Sequence, residues 1–403
     1  MSHIQGSKRL SRSDRGAVAA VAGARAAGLE RLNADPSLLV AGRMGSTRGS
    51  GILNTAALLL LLLSLTACRH PAPGTLANRR GDEIVVAGKF VHTGAPVVLW
   101  LDPGGYDAYR VERRFSKMEE SSWEATSKAT KSLETPNRYG PRTAALSHDD
   151  AERVRGGGWD LPTLQKTVDQ FVLHFDVCGT SRQCFKVLHD LRGLSVHFML
   201  DLDGTIYQTL DVKERAWHAT TSNTRSVGIE IANMGAYGVG RDQTLDEWYV
   251  RDNSGRVRVR LPDSFGDGGI RSRGFVARPA RQERVPGTIQ GTPLVQYDFT
   301  PEQYASLTRL TATLCTVLPR IRCDYPRDEK GQLIPHKLDP PSLEAYQGVL
   351  GHFHIQTNKV DPGPAFQWDK VINGARRLMR LKPVAVVGPV SVSAASAPVK
   401  VTQ

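Results

Sequence analysis

Residues 194–210 read LSVHFMLDLDGTIYQTL. Successive side chains of an extended chain point to opposite faces, so Leu194, Val196, Phe198, Leu200 and Leu202 line one apolar edge. Asp203-Gly204 is a tight-turn pair and residues 206–210 supply a returning strand, so the stretch predicts a β-hairpin. Upstream, Gln170–Phe175 alternates, with Gln170, Val172 and His174 on one side. Between them, residues 184–192 place Phe185, Leu188 and Leu191 at helical spacing, and Gly193 is a stop signal. Downstream, residues 226–232 put Val227, Ile229 and Ile231 on one face and Glu230 on the other. Thr300-Pro301-Glu302-Gln303 is a capping box with Pro at the first helical position, opening a helix through Leu307, Leu310, Leu314 and Val317. A last helix is expected over 365–380. Strand and helix signals alternate from 159 to 381, which predicts an α/β core.

The chain has 403 residues, of which 40% are hydrophobic and 23% charged, the balance of an ordinary globular protein. Its formal charge is +12; residues 1–67 hold eight Lys/Arg and three Asp/Glu, which leaves +7 for the rest. Such a surface suits anionic polymers. Nucleic acid is not the expected one, because there is no zinc-finger spacing and no long basic helical stripe. Nothing in the sequence specifies an oligomeric state.

Residues 56–63 are AALLLLLL, followed by Ser64-Leu65-Thr66-Ala67-Cys68. A membrane-spanning helix needs about 20 apolar residues, whereas a secretory signal needs only about 7–15. Export is therefore expected. Leu65-Thr66-Ala67-Cys68 resembles a bacterial lipobox, which implies acylation of Cys68. Counting from Met44, with Arg48 as the leading charge, the signal has ordinary length, and residues 1–43 read as an over-extended start or an unusually long leader. Arg69 after the lipid-bearing Cys, by similarity to Gram-negative lipoproteins, implies a periplasmic protein anchored to the outer membrane. The expected organisation is a leader and signal peptide over 1–67, an anchor and tether over 68–82, an N-terminal extension over 83–158, a main domain over 159–382 and a loose tail over 383–403. The main domain contains a polar, Gly-rich insert over 235–297. Within it, residues 256–261 alternate Arg with apolar residues after Asn253-Ser254-Gly255, a hairpin pattern with a basic, solvated face.

Export leaves Cys178, Cys184, Cys315 and Cys323 in an oxidising compartment, where an even number implies disulfides. Local spacing favours Cys178–Cys184 and Cys315–Cys323. The competing idea, a four-Cys zinc site, lacks CxxC spacing. Metal chemistry is suggested elsewhere. His174 closes an apolar strand, His352 lies in Gly351-His352-Phe353-His354, and Asp361 lies in Lys359-Val360-Asp361-Pro362-Gly363-Pro364. Two neutral imidazoles and one carboxylate suit Zn²⁺ and leave its fourth tetrahedral position open. No HExxH motif is present, which counts against a zincin-type peptidase.

Six short segments resemble, in order, the type-2 N-acetylmuramoyl-L-alanine amidases and the peptidoglycan recognition proteins that share their fold. They are Val172-Leu173-His174, Ser195-Val196-His197-Phe198, residues 203–208, Ala216-Trp217-His218-Ala219, Ser226-Val227-Gly228-Ile229-Glu230 and residues 351–364. The resemblance spans about residues 171–368 and implies a mixed central β-sheet flanked by helices. It also implies zinc held by His174, His352 and Asp361, with Glu230 as general base and Lys359 as electrophilic helper. Trp217 and His218 are expected to line the substrate groove, and Asn233 and Arg225 to contact substrate. Cys178 and Cys184 look like the disulfide of the recognition proteins. The implied activity is hydrolysis of the bond between N-acetylmuramic acid and L-alanine in peptidoglycan or muropeptides. The recognition proteins imply a rival of another class, a non-catalytic peptidoglycan-binding lipoprotein.

Overall fold

Six strands make the central sheet of the computed structural model, which describes residues 72–384 apart from 131, 132, 134, 156 and 157. In chain order they are β1 (Val97–Leu99), β2 (Gln170–Phe175), β3 (Phe198–Leu200), β4 (Ile206–Gln208), β5 (Ser226–Ile231) and β6 (Gly348–Gly351). The spatial order is β6-β2-β5-β3-β4-β1. Only β3 and β4, the hairpin pair, run antiparallel; every other neighbouring pair is parallel. This is a mixed α/β sheet flanked by helices. The apolar run at 56–63, Cys68 and most of the tail lie outside the described residues. Among those described, no helix is long and apolar enough to cross a membrane.

Strand alternation gives the sheet two unlike faces. Phe171 and Leu173 of β2, Phe198 and Leu200 of β3, and Val227, Ile229 and Ile231 of β5 all enter one core cluster. Against that face lie α1 (Pro301–Val317) and α2 (Trp368–Leu378), contributing Leu307, Leu310 and Leu314 and then Val371, Ile372 and Ala375. The helix α1 begins where the sequence says it should: Gln303 N donates to Thr300 Oγ1 over 3.0 Å and Thr300 N donates to Gln303 Oε1 over 2.9 Å. Truncating a fully buried Leu such as Leu310 costs about 2–5 kcal/mol. The opposite face carries Gln170, Val172 and His174 from β2 and Gly228 and Glu230 from β5. In register, His174 is paired with Glu230 and Glu230 with Met199. Burying one face on helices thus leaves the other for the chemistry.

Three elements differ from expectation. The apolar edge at 194–202 forms strand only over Phe198–Leu200, because Leu194 N is tied back to Leu188 O and the Ser195 hydroxyl donates to Arg138 O. The helix expected at 184–192 starts at Ser181, capped by Thr180, and continues as a π-helical turn over Lys186–Leu191. Residues 83–158 do more than pack on the main domain: β1 is the edge strand of the central sheet, parallel to β4. The described residues from Ala77 onward form one compact unit. The insert forms the expected hairpin, Tyr249–Arg251 with Val257–Val259, and a second one, Val285–Ile289 with Thr292–Gln296.

Candidate metal centre and active site

The parallel pairing of β6, β2 and β5 sets the site. His174 lies one residue from the end of β2, Glu230 is its neighbour on β5, and His352 follows β6 directly. Asp361 returns on the loop after His352, where Phe353 N donates to Asp361 O. The three candidate ligands converge. His174 Nδ1 is 2.9 Å from His352 Nδ1 and 2.9 Å from Asp361 Oδ2, and His352 Nδ1 is 3.0 Å from the same oxygen. All three residues are buried.

The outer edges of both imidazoles are engaged. His352 Nε2 donates to Gln356 Oε1 over 2.6 Å. His174 Nε2 lies 3.0 Å from His218 Nδ1. With the Nε2 edges occupied, the Nδ1 lone pairs turn inward beside a carboxylate oxygen, the two-nitrogen, one-oxygen donor set that zinc takes. Burial, and then the neighbouring His352, push the His174 pKa down to about 4, so its imidazole is neutral at pH 7. Burial disfavours ionisation of Asp361, but His352 and His174 outweigh it and hold the carboxyl below its usual range. His174 and Asp361 are thus in the protonation states that ligands need. A second possible cluster, Asp82, Glu83 and His92, is a poorer fit. The Glu83 carboxylate is occupied there by the backbone N–H groups of Arg80, Gly81 and Asp82.

The three candidate ligands open into a cavity of about 510 Å³ that Trp217, Glu230 and Lys359 also line. Glu230 Oε2 and Trp217 Nε1 are buried polar atoms without a hydrogen-bond partner among the described residues, poised for a group that occupies the cavity. Burial, and then the Asp361 and Asp176 carboxylates, push the Glu230 pKa well up, with Lys359 opposing. A carboxyl raised in this way holds a proton more firmly than an exposed one.

The other expected residues divide between the cavity and its surroundings. His218 lines the cavity, yet its ring is held between His174 and Ser226 Oγ, so substrate contact is not its main engagement. Asn233 does not line the cavity: its amide donates to Tyr297 O and accepts from Gly235 N and Gln296 Nε2. Arg225 does not line it either, because its guanidinium is clamped on Asp169 at 2.6 and 2.7 Å and reaches Glu344 O. Both side chains thus have protein partners outside this cavity, and Arg225 borders a neighbouring pocket with Gln356 and Asn358. The expected cysteine partners are neighbours, with side-chain hydrogen bonds between Cys178 and Cys184 and between Cys315 and Cys323, but all four are free thiols here. His354 stays out of the site: Gly351 N donates to its Nδ1, and its Nε2 bonds Ile334 O.

Two residues of the site escaped sequence reading. Gln356 follows His352 by four, a spacing at which side chains meet on a helical turn, so it could have been found. Asp176 lies two beyond His174; its Oδ1 accepts from the N–H groups of Cys178, Gly179 and Asn233, while its Oδ2 is buried and unpartnered. No local pattern marks it.

Residues 164–364 match the family model described as N-acetylmuramoyl-L-alanine amidase. No curated protein matches the chain. Among solved structures, the chain is similar to a selenomethionine AmpD derivative, with 17% identity, a TM-score of 0.27, and coverage of 58% of this chain and 88% of that one. It is also similar to the endolysin amidase LysCS from Clostridium intestinale, at 16% identity and TM-score 0.27, covering 53% of this chain and 85% of that one. A third is E. coli AmiD in complex with anhydro-N-acetylmuramic acid-L-Ala-D-gamma-Glu-L-Lys, at 16% identity and TM-score 0.28, covering 51% and 57%.

Proposed function

We propose a zinc hydrolase from a plain premise: over residues 164–364 this chain belongs to the N-acetylmuramoyl-L-alanine amidase family. Its reaction is cleavage of the amide between N-acetylmuramic acid and L-alanine, in peptidoglycan or in muropeptides. The observation that carries this reading is the convergence of His174, His352 and Asp361 within 3.0 Å of one another, at the floor of a cavity that Glu230 also lines.

An amide resists water because its carbonyl is resonance-stabilised and its amine is a poor leaving group. His174, His352 and Asp361 would hold the zinc, which would supply Lewis acidity for the carbonyl and the attacking water. Glu230, on the strand beside His174, accepts the attacking water's proton at its carboxylate and passes it to the departing alanine nitrogen. Lys359 brings a positive charge to the same cavity, where it offsets the charge growing on the carbonyl oxygen. Trp217 offers an indole N–H that has no partner among the described residues.

The test is digestion of purified muropeptides followed by mass spectrometry. Free stem peptide is expected from the wild type. It should disappear with a zinc chelator, return when zinc is added back, and be absent with Glu230→Gln. Intact muropeptides after zinc loading, with the protein still retained on peptidoglycan, would favour the non-catalytic binder. The apolar run at 56–63 followed by Cys68 supports the further reading that the protein is exported and lipid-anchored on the periplasmic side of the outer membrane. Membrane association that persists in Cys68→Ala would count against it.

A further inference from the structure

We infer that His218 is a positioning residue for the metal centre, locked in place by Ser226 and by the absence of a side chain at Gly228. The inference rests on the zinc reading of His174, His352 and Asp361. It assigns His218 a role other than touching substrate.

The tautomers follow from the contacts. His174 directs Nδ1 at His352 and Asp361, so its ring proton sits on Nε2 and is donated to His218 Nδ1 over 3.0 Å. His218 then carries its own proton on Nε2, which lies 3.2 Å from Ser226 Oγ. The chain His174, His218, Ser226 therefore admits one arrangement of protons when a cation takes the His174 lone pair. An outer partner of this kind fixes both the tautomer and the orientation of a ligand imidazole.

The packing beneath the ring is independent of those hydrogen bonds. A Cβ built at Gly228 would lie 2.5 Å from both Cε1 and Nδ1 of His218 and 2.8 Å from its Cγ. The ring thus rests on the backbone of β5 at a position where only glycine fits, two residues from Glu230. Two different contacts, one polar and one steric, hold the same ring against the same ligand.

The test uses the full chain stripped of metal, with zinc affinity read by competition against a chelating dye and ligand geometry read from the absorption bands of the Co²⁺ form. His218→Ala should bind zinc about 10–100-fold more weakly and alter the Co²⁺ spectrum, while its metal-free Tm stays near that of the wild type. His218→Asn, whose side-chain oxygen can accept from His174 Nε2, should recover most of the affinity. Gly228→Ala should reproduce the loss by displacing the ring. If wild type binds zinc tightly and His218→Ala matches it in affinity and spectrum, the positioning role is overturned and the metal site stands. If the wild type takes up no zinc, the reading of the site itself falls, and this inference with it.

Discussion

At the scale of single residues, the chemistry depends on where charge is held in the cavity. Lys359 bears no direct bond to the ligands, yet it opposes the upward shift of Glu230, so the two share one electrostatic neighbourhood. Lys359→Met should therefore lower kcat by roughly 10²–10³-fold, the loss typical of removing one stabiliser of a developing oxyanion, while zinc content stays unchanged. A fall in zinc content with kcat per bound zinc preserved would assign Lys359 to metal retention instead. The convergence of His174, His352 and Asp361 was legible from the six-segment resemblance together with their types. Asn233 and Arg225 hold partners far along the chain, Gln296 and Asp169, 63 and 56 residues away. Local sequence does not encode which of two polar side chains is already satisfied.

At the scale of elements, the segments around the family core act as braces. Arg142, in the stretch read as an N-terminal extension, is fully buried. It donates to the carbonyls of Val212, Asn223, Thr224 and Ser226, and its Nη2 sits 2.9 Å from His197 Nε2. Burial pushes its pKa down to about 9, which leaves it charged at neutral pH. One side chain thus ties the turn before β5, and with it Ser226, to the extension. Arg142→Met should cost about 3–5 kcal/mol in urea unfolding, since four carbonyls lose their donor and a buried charge is removed from its cage. A cost below about 1 kcal/mol, the range of surface substitutions, would contradict the brace. The insert does similar work on the ligand loop: Gln296 donates to Pro362 O and accepts from Ala365 N, and Gln290 donates to Phe353 O. Gly363, with φ +87°, lets the loop approach so closely that a Cβ would lie 2.2 Å from Gln296 Oε1. The hairpins and the capping box could be read from periodicity and turn chemistry. The π-helical turn and the parallel pairing of β1 with β4 could not, because neither leaves a repeating local pattern.

For the molecule as a whole, buried carboxylates tie stability to pH. Asp201 accepts from Leu202 N at 2.9 Å and Ser181 N at 3.4 Å, while its Oδ2 is buried without a partner. Burial pushes its pKa up to about 7, against about 3.9 in an unfolded chain. Between those values the native state holds the extra proton, so this residue's contribution to stability falls as pH rises and the fall is complete above about 7. Asp201→Asn keeps an acceptor and never ionises. Its Tm should match the wild type at pH 4 and exceed it by a few degrees at pH 8; a constant difference at both pH values would show that Asp201 titrates normally.

On the proposed reading, three side chains, drawn from the ends of two neighbouring strands and one loop, hold a single zinc ion. Metal analysis of the purified, zinc-loaded and exhaustively dialysed protein tests it most directly. The expected result is one zinc per chain in the wild type and its loss in Asp361→Ala; a wild type that retains no zinc, or an Asp361→Ala variant that retains as much, would contradict it.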